Sequence, residues 1–93
     1  MGNTTPSLSR TVNITNQLGL HARAAAKIAK IAENASAGVW IIRNRQRADA
    51  SSILDILTLA NEEDAHITIA IDNPLDMNIL NAIEEMVKKG FGE

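Results

Sequence analysis

The chain has no cysteine and no tyrosine, and only one tryptophan and one phenylalanine among its 93 residues. Without cysteine there is no disulfide framework, no thiol nucleophile and no cysteine-ligated metal. The two histidines, His21 and His66, lie far apart and show no metal-ligand spacing. Neither a metal nor a cofactor is expected. Aromatics are scarce and the net charge is −2, so the basic, aromatic-interleaved surface of a nucleic-acid binder is missing. No apolar run approaches the roughly 20 residues of a membrane span. The first residues lack the apolar core of a secretory signal. Met1-Gly2 fits the start of a myristoylation motif, but Pro6 stands where that motif requires serine or threonine. A cytoplasmic protein, monomeric and away from membranes, is the expectation. The sequons at Asn3, Asn13 and Asn34 are then chance matches.

Apolar residues make up 45% of the chain, mostly Ile, Leu, Val and Ala, which suits one small domain with a modest core. Residues 1–8, with Pro6 and small polar side chains, read as a flexible tail before a domain at 9–93. Residues 9–15 alternate Val12 and Ile14 with polar side chains, the period of a half-buried strand. From 22 to 36 the chain is rich in alanine, and Ile28, Ile31, Ala32 and Ala35 recur at helical spacing, with Lys27, Lys30 and Glu33 outward. Gly38 closes that helix. Residues 39–43 are apolar and β-favouring, which predicts a well-buried strand. A turn at Asn44 and a short polar strand at 46–50 follow, and Arg43, Arg45 and Arg47 read as a solvated hairpin tip.

Ser52, three residues before Asp55, predicts a helix N-cap, and the helix after it is apolar almost all round. One stripe of it must face the core, which leaves Ile53 and Leu54 as an exposed patch of the kind that marks partner surfaces. An acidic turn at 61–64 precedes a strand in which Ile67, Ile69 and Ile71 alternate with His66, Thr68 and Ala70. His66 is expected to be exposed. Asp72-Asn73-Pro74 leads into a last helix with Ile79, Leu80, Ile83, Met86 and Val87 on one face, stopped at Gly90. The order β-α-β-β-α-β-α predicts an α+β open-faced sandwich: one four-stranded antiparallel sheet with three helices on one face.

One stretch carries chemistry. In Asn16-Gln17-Leu18-Gly19-Leu20-His21-Ala22-Arg23 a strand ends, a glycine turns the backbone and a helix begins after His21. The first N–H groups of a helix lack internal partners, and its dipole favours negative charge there. A phosphate on the His21 ring would meet the amides of Ala22 and Arg23. The Arg23 guanidinium would bind its oxygens bidentately. Imidazole suits a carrier, since its ordinary pKa of about 6.5 leaves it largely neutral and nucleophilic near pH 7. The same residues also suit a plain surface cap. Ala24, Ala25 and Ala26 suit either close partner approach beside His21 or simple helix propensity.

Gly-Leu-His-Ala-Arg after a short strand resembles the active-site signature of the HPr family, the histidine-containing phosphocarriers of the bacterial phosphotransferase system. The longer run from Asn16 is similar to the nitrogen-related branch, NPr. The likeness extends over about residues 10–93. It implies that His21 accepts phosphate on Nδ1 from enzyme I, charged by phosphoenolpyruvate, and passes it to an enzyme IIA. It implies that Arg23 and the amides of Ala22 and Arg23 stabilise the bound dianion. It implies a partner face containing Leu20, Ala24, Ile53, Leu54 and Leu57, and makes Ser52 a candidate site for a regulatory serine kinase and phosphorylase. The chain would be a phosphoryl carrier and not a complete enzyme. Ala24 replaces the family's usual proline, Leu18 a polar residue and Asp55 a lysine. These departures favour a nitrogen-type or regulatory carrier over a sugar-transport one. The competing reading is a regulatory binding module with the HPr fold that carries no phosphate.

Overall fold

The computed structural model describes residues 8–62 and 64–93. Tail residues 1–7 and Glu63 of the acidic turn lie outside them. Leu8, assigned to the tail, belongs with the domain. It packs partly buried against the core, and its carbonyl accepts the Ile71 amide at 2.9 Å.

Among the described residues the strands are β1 (Ser9–Asn13), β2 (Val39–Arg43), β3 (Gln46–Asp49) and β4 (His66–Ile71). The helices are α1 (Ala22–Ala32), α2 (Ile53–Leu57) and α3 (Met77–Lys88), with short 3-10 turns at Pro74–Asp76 and Gly90–Gly92. The sheet is antiparallel throughout, in the order β1-β4-β2-β3. Register places Val12 opposite Ile67, and Ile41 opposite both Ile69 and Ala48, so the branched side chains form one continuous face. That face and the inner sides of the helices bury Leu20, Ile28, Ile56, Leu80, Ile83, Val87 and Phe91. α3 lies on β1 and β4, and α1 packs between α2 and α3. The α+β open-faced sandwich expected from the element order is the observed one.

Several local expectations change. α1 ends at Ala32 with Glu33 as its cap, short of residue 36. β1 ends at Asn13, although the Ile14 amide still donates to Ala65 O at 2.8 Å. β2 is not buried on both sides. Val39, Ile41 and Arg43 face inward, while Trp40 and Ile42 are half-buried on the open side. There Arg47 stacks over the Trp40 ring, 4.1 Å from its centroid, and is no simple solvated charge.

Arg43 corrects the hairpin-tip reading outright. It is 9% exposed, and it donates from Nε to Asp64 O at 2.6 Å and from NH1 to Leu59 O at 3.0 Å. Strand alternation sends it inward after Val39 and Ile41. The loop carbonyls that follow α2 then find in its forked guanidinium the donors they need. Asn44 and Arg45 carry the positive φ values, 52° and 69°, of a tight hairpin turn.

Candidate functional site

His21 is the N-cap of α1, with an extended backbone at φ −77° and ψ 175°. Its carbonyl accepts the first intrahelical bond, from the Ala25 amide at 2.9 Å. The amides of Ala22, Arg23 and Ala24 precede that bond, and no side chain caps the end. No acidic residue occupies the first turn, and Arg23 stands exposed in it. The helix terminus therefore presents donors and positive charge together beside the half-buried His21.

The loop reaches this geometry through its neighbours. Gly19 sits at φ 63°, a conformation a side chain would strain, and its amide donates to Asn16 O at 3.2 Å. The Asn16 side-chain amide closes the same turn by donating to Gly19 O at 2.9 Å. Leu20 and Ala24, on either side of the His21-Arg23 stretch, are 2% and 0% exposed. This overturns their place on the partner face. Their side chains are packed into the core and anchor the loop from beneath. Ala25 is likewise buried, and of the three alanines only Ala26 is exposed.

A shallow cleft of about 480 Å³ is lined by Thr15, Asn16, Leu18, His21, Arg23 and Glu93. Glu93 is the residue that sequence reasoning missed. Its Oε2 is hydrogen-bonded to His21 Nε2, and its Oε1 accepts from the Asn16 amide at 3.2 Å. The His21 hydrogen bond foremost holds the Glu93 carboxyl below the usual carboxylate range; desolvation opposes it, and the Asn16 bond adds a smaller lowering. The segment that delivers it is held too. Lys27, expected to point outward, donates from Nζ to Phe91 O at 2.6 Å, and Phe91 is 2% exposed. The only sequence signal for this was the glycine pair around Phe91.

Ser52 caps α2, accepting the Asp55 amide at 3.2 Å. The Asp55 carboxylate does not return to the Ser52 amide, as a capping box would. It accepts the Asp49 amide at 2.6 Å instead. Ile53 and Leu54 are 41% and 79% exposed, and Leu57 is half-buried against the core. With Ser52, Ile53 and Leu54 border a second cleft, whose other wall is α1 at the exposed Ala26 and Lys30 and the buried Ala29. His66 is exposed at the start of β4 and pairs with Asp64 at 3.2 Å. Among the described residues no group of histidines and carboxylates is arranged to hold a metal.

The protein-family description "PTS HPr component phosphorylation site" matches residues 8–89. A phosphocarrier protein HPr of Cupriavidus necator is 36% identical over 86 residues, covering 92% of this chain and 97% of its own. A phosphocarrier protein NPr of Shewanella violacea is 37% identical over 86 residues, covering 92% and 94%. The crystal structure of HPr-C-His from Thermoanaerobacter tengcongensis superposes with a TM-score of 0.82 at 26% identity, over 91% of this chain and 96% of that one. A match that runs from β1 through the His21 loop to the end of α3 is a match to the whole fold, and it makes this chain a member of the HPr family of phosphocarrier proteins of the phosphotransferase system.

Proposed function

We propose that this protein accepts a phosphoryl group on His21 from a phosphorylated enzyme I and hands it to an enzyme IIA. The observation that carries the reading is the placement of His21 as the N-cap of α1, where no side chain hydrogen-bonds to the first amides of the helix. A dianion on Nδ1 would be met by the Ala22 and Arg23 amides and by the Arg23 guanidinium. All of these are partly exposed, so the attraction is screened and the group can leave again. Partner proteins would dock on the exposed apolar residues Leu18, Ile53 and Leu54, with Leu57 behind them. Leu18 and Asp55 give this face fewer polar donors and less positive charge. That favours a nitrogen-related or regulatory pathway over bulk sugar transport.

A phosphate on Ser52 would act through the same face. It would add about two negative charges beside Asp49 and Asp55 and next to Ile53 and Leu54. Its effect would be to repel an acidic partner, with little gain for the short helix it caps.

Incubation with enzyme I and phosphoenolpyruvate should place an acid-labile phosphate on the protein. His21→Ala should abolish the label, and Arg23→Ala should lower its yield or lifetime. No label on the native chain, or label surviving His21→Ala, rejects the proposal. Partner binding that persists unchanged in the His21→Ala variant of an unlabelled protein would instead mark a regulatory module.

A further inference from the structure

We infer that Glu93 is a positioning residue for His21: it holds the ring in the tautomer that carries hydrogen on Nε2 and leaves Nδ1 bare. An ionised carboxylate has only acceptor sites, so a hydrogen bond between Glu93 Oε2 and His21 Nε2 requires the proton on Nε2. In a neutral imidazole the other nitrogen then keeps its lone pair. Glu93 is itself fixed on three sides. Asn16 donates to its Oε1 at 3.2 Å, Phe91 plugs into the core, and Lys27 grips the Phe91 carbonyl at 2.6 Å. Gly90, Phe91 and Gly92 all have positive φ, 62°, 59° and 79°. Such a left-handed run is costly for Phe91 and persists because burial of its ring compensates. The segment is thus a built strap that brings a carboxylate to the imidazole from 72 residues away in sequence.

This inference rests on the carrier reading and specifies its chemistry. The Nδ1 lone pair attacks phosphorus, the new P–N bond forms, and the bond to the donor's nitrogen breaks with its electron pair going to the donor. Nε2 keeps its proton, and the positive charge that develops on the ring is offset by the Glu93 carboxylate. The carboxylate has the role of the aspartate in a Ser-His-Asp triad, which orients an imidazole and stabilises its cation without taking the proton.

The test combines ring-nitrogen NMR of His21 with phosphorylation by enzyme I and phosphoenolpyruvate across pH 6–9, on the native protein, Glu93→Ala and Glu93→Gln. The native ring should be predominantly Nε2–H in its neutral form. Glu93→Ala should mix the tautomers and slow phosphorylation by roughly tenfold, the scale of one charge-assisted hydrogen bond in a half-exposed site. Glu93→Gln should keep the tautomer, since its carbonyl still accepts, but remain slow because the charge is gone. Unchanged tautomer populations in Glu93→Ala, or rates equal to native at every pH, overturn the inference. A native protein that takes no phosphate yet loses its tautomer preference in Glu93→Ala refutes the carrier reading and upholds the positioning role.

Discussion

Replacing Leu20 by alanine tests whether the His21 loop is anchored to the core or offered to partners. Leu20 is 2% exposed, whereas Leu54 on the candidate docking face is 79% exposed. Leu20→Ala deletes three buried carbons. At about 0.8 kcal/mol per methylene the transfer contribution is about 2.4 kcal/mol. The cavity left behind adds to this, which puts the total within the range of about 2–5 kcal/mol found for buried leucines. Unfolding entropy of about 2.1 cal/mol/K per residue gives a chain of this length about 0.2 kcal/mol/K. Leu20→Ala should therefore lower Tm by about 10–25 °C. Leu54→Ala should stay within about 0.5 kcal/mol of native stability and instead weaken docking. Thermal and urea unfolding followed by circular dichroism, with titration against enzyme I, measure both quantities. If Leu20→Ala moves Tm by less than about 3 °C yet weakens enzyme I binding as Leu54→Ala does, Leu20 is a docking residue and the anchoring argument fails.

Arg43→Ala should cost about 1–3 kcal/mol in urea unfolding, because it strands the Asp64 and Leu59 carbonyls. Arg43→Lys should restore only part, since an ammonium cannot reproduce the fork. Equal stability of Arg43→Ala and native protein would return Arg43 to the solvated tip. Asp76 is buried and accepts the Ser36 amide, the Ser36 hydroxyl and the Ala37 amide at 2.8, 3.0 and 3.1 Å. The Ser36 amide bond foremost holds its carboxyl below the usual range. The folded state thus binds this proton more weakly than the unfolded state. The resulting stability is whole above about pH 4 and is lost as pH falls through the lowered folded value. The urea midpoint gap between native protein and Asp76→Asn should shrink from pH 7 to pH 3, and a constant gap would contradict the linkage. Gly38→Ala would drive a methyl group into the Asp72 carboxylate and to 2.8 Å from the Trp40 indole nitrogen. It should break the 3.1 Å Trp40–Asp72 hydrogen bond and shift the emission of the chain's one tryptophan. An unchanged spectrum would rule that out.

Much of the architecture was readable in the chain because its signals are local. The alternation around Ile67, Ile69 and Ile71, the stripe through Ile79, Leu80, Ile83 and Val87, and the punctuation at Gly38 and Gly90 each reflect a period or turn within a few residues. The start of α1 directly after His21 is of the same kind, so sequence alone put an imidazole at a helix terminus. Burial of Leu20 and Ala24 was not readable, because it depends on which elements pack above and below them, and for Arg43 the strand alternation gave the inward direction but not what would satisfy a buried guanidinium. An arginine after Ile41 and Ile42 has no local cue that loop carbonyls await it on the inner face. Glu93 is the clearest case. Nothing near it in the chain refers to His21, and only the packing of α3, the insertion of Phe91 and the grip of Lys27 bring the two together. Sequence determined where the imidazole stands along the chain. Tertiary structure decided which of its nitrogens meets a carboxylate, because a contact between distant segments exists only once the core between them has formed.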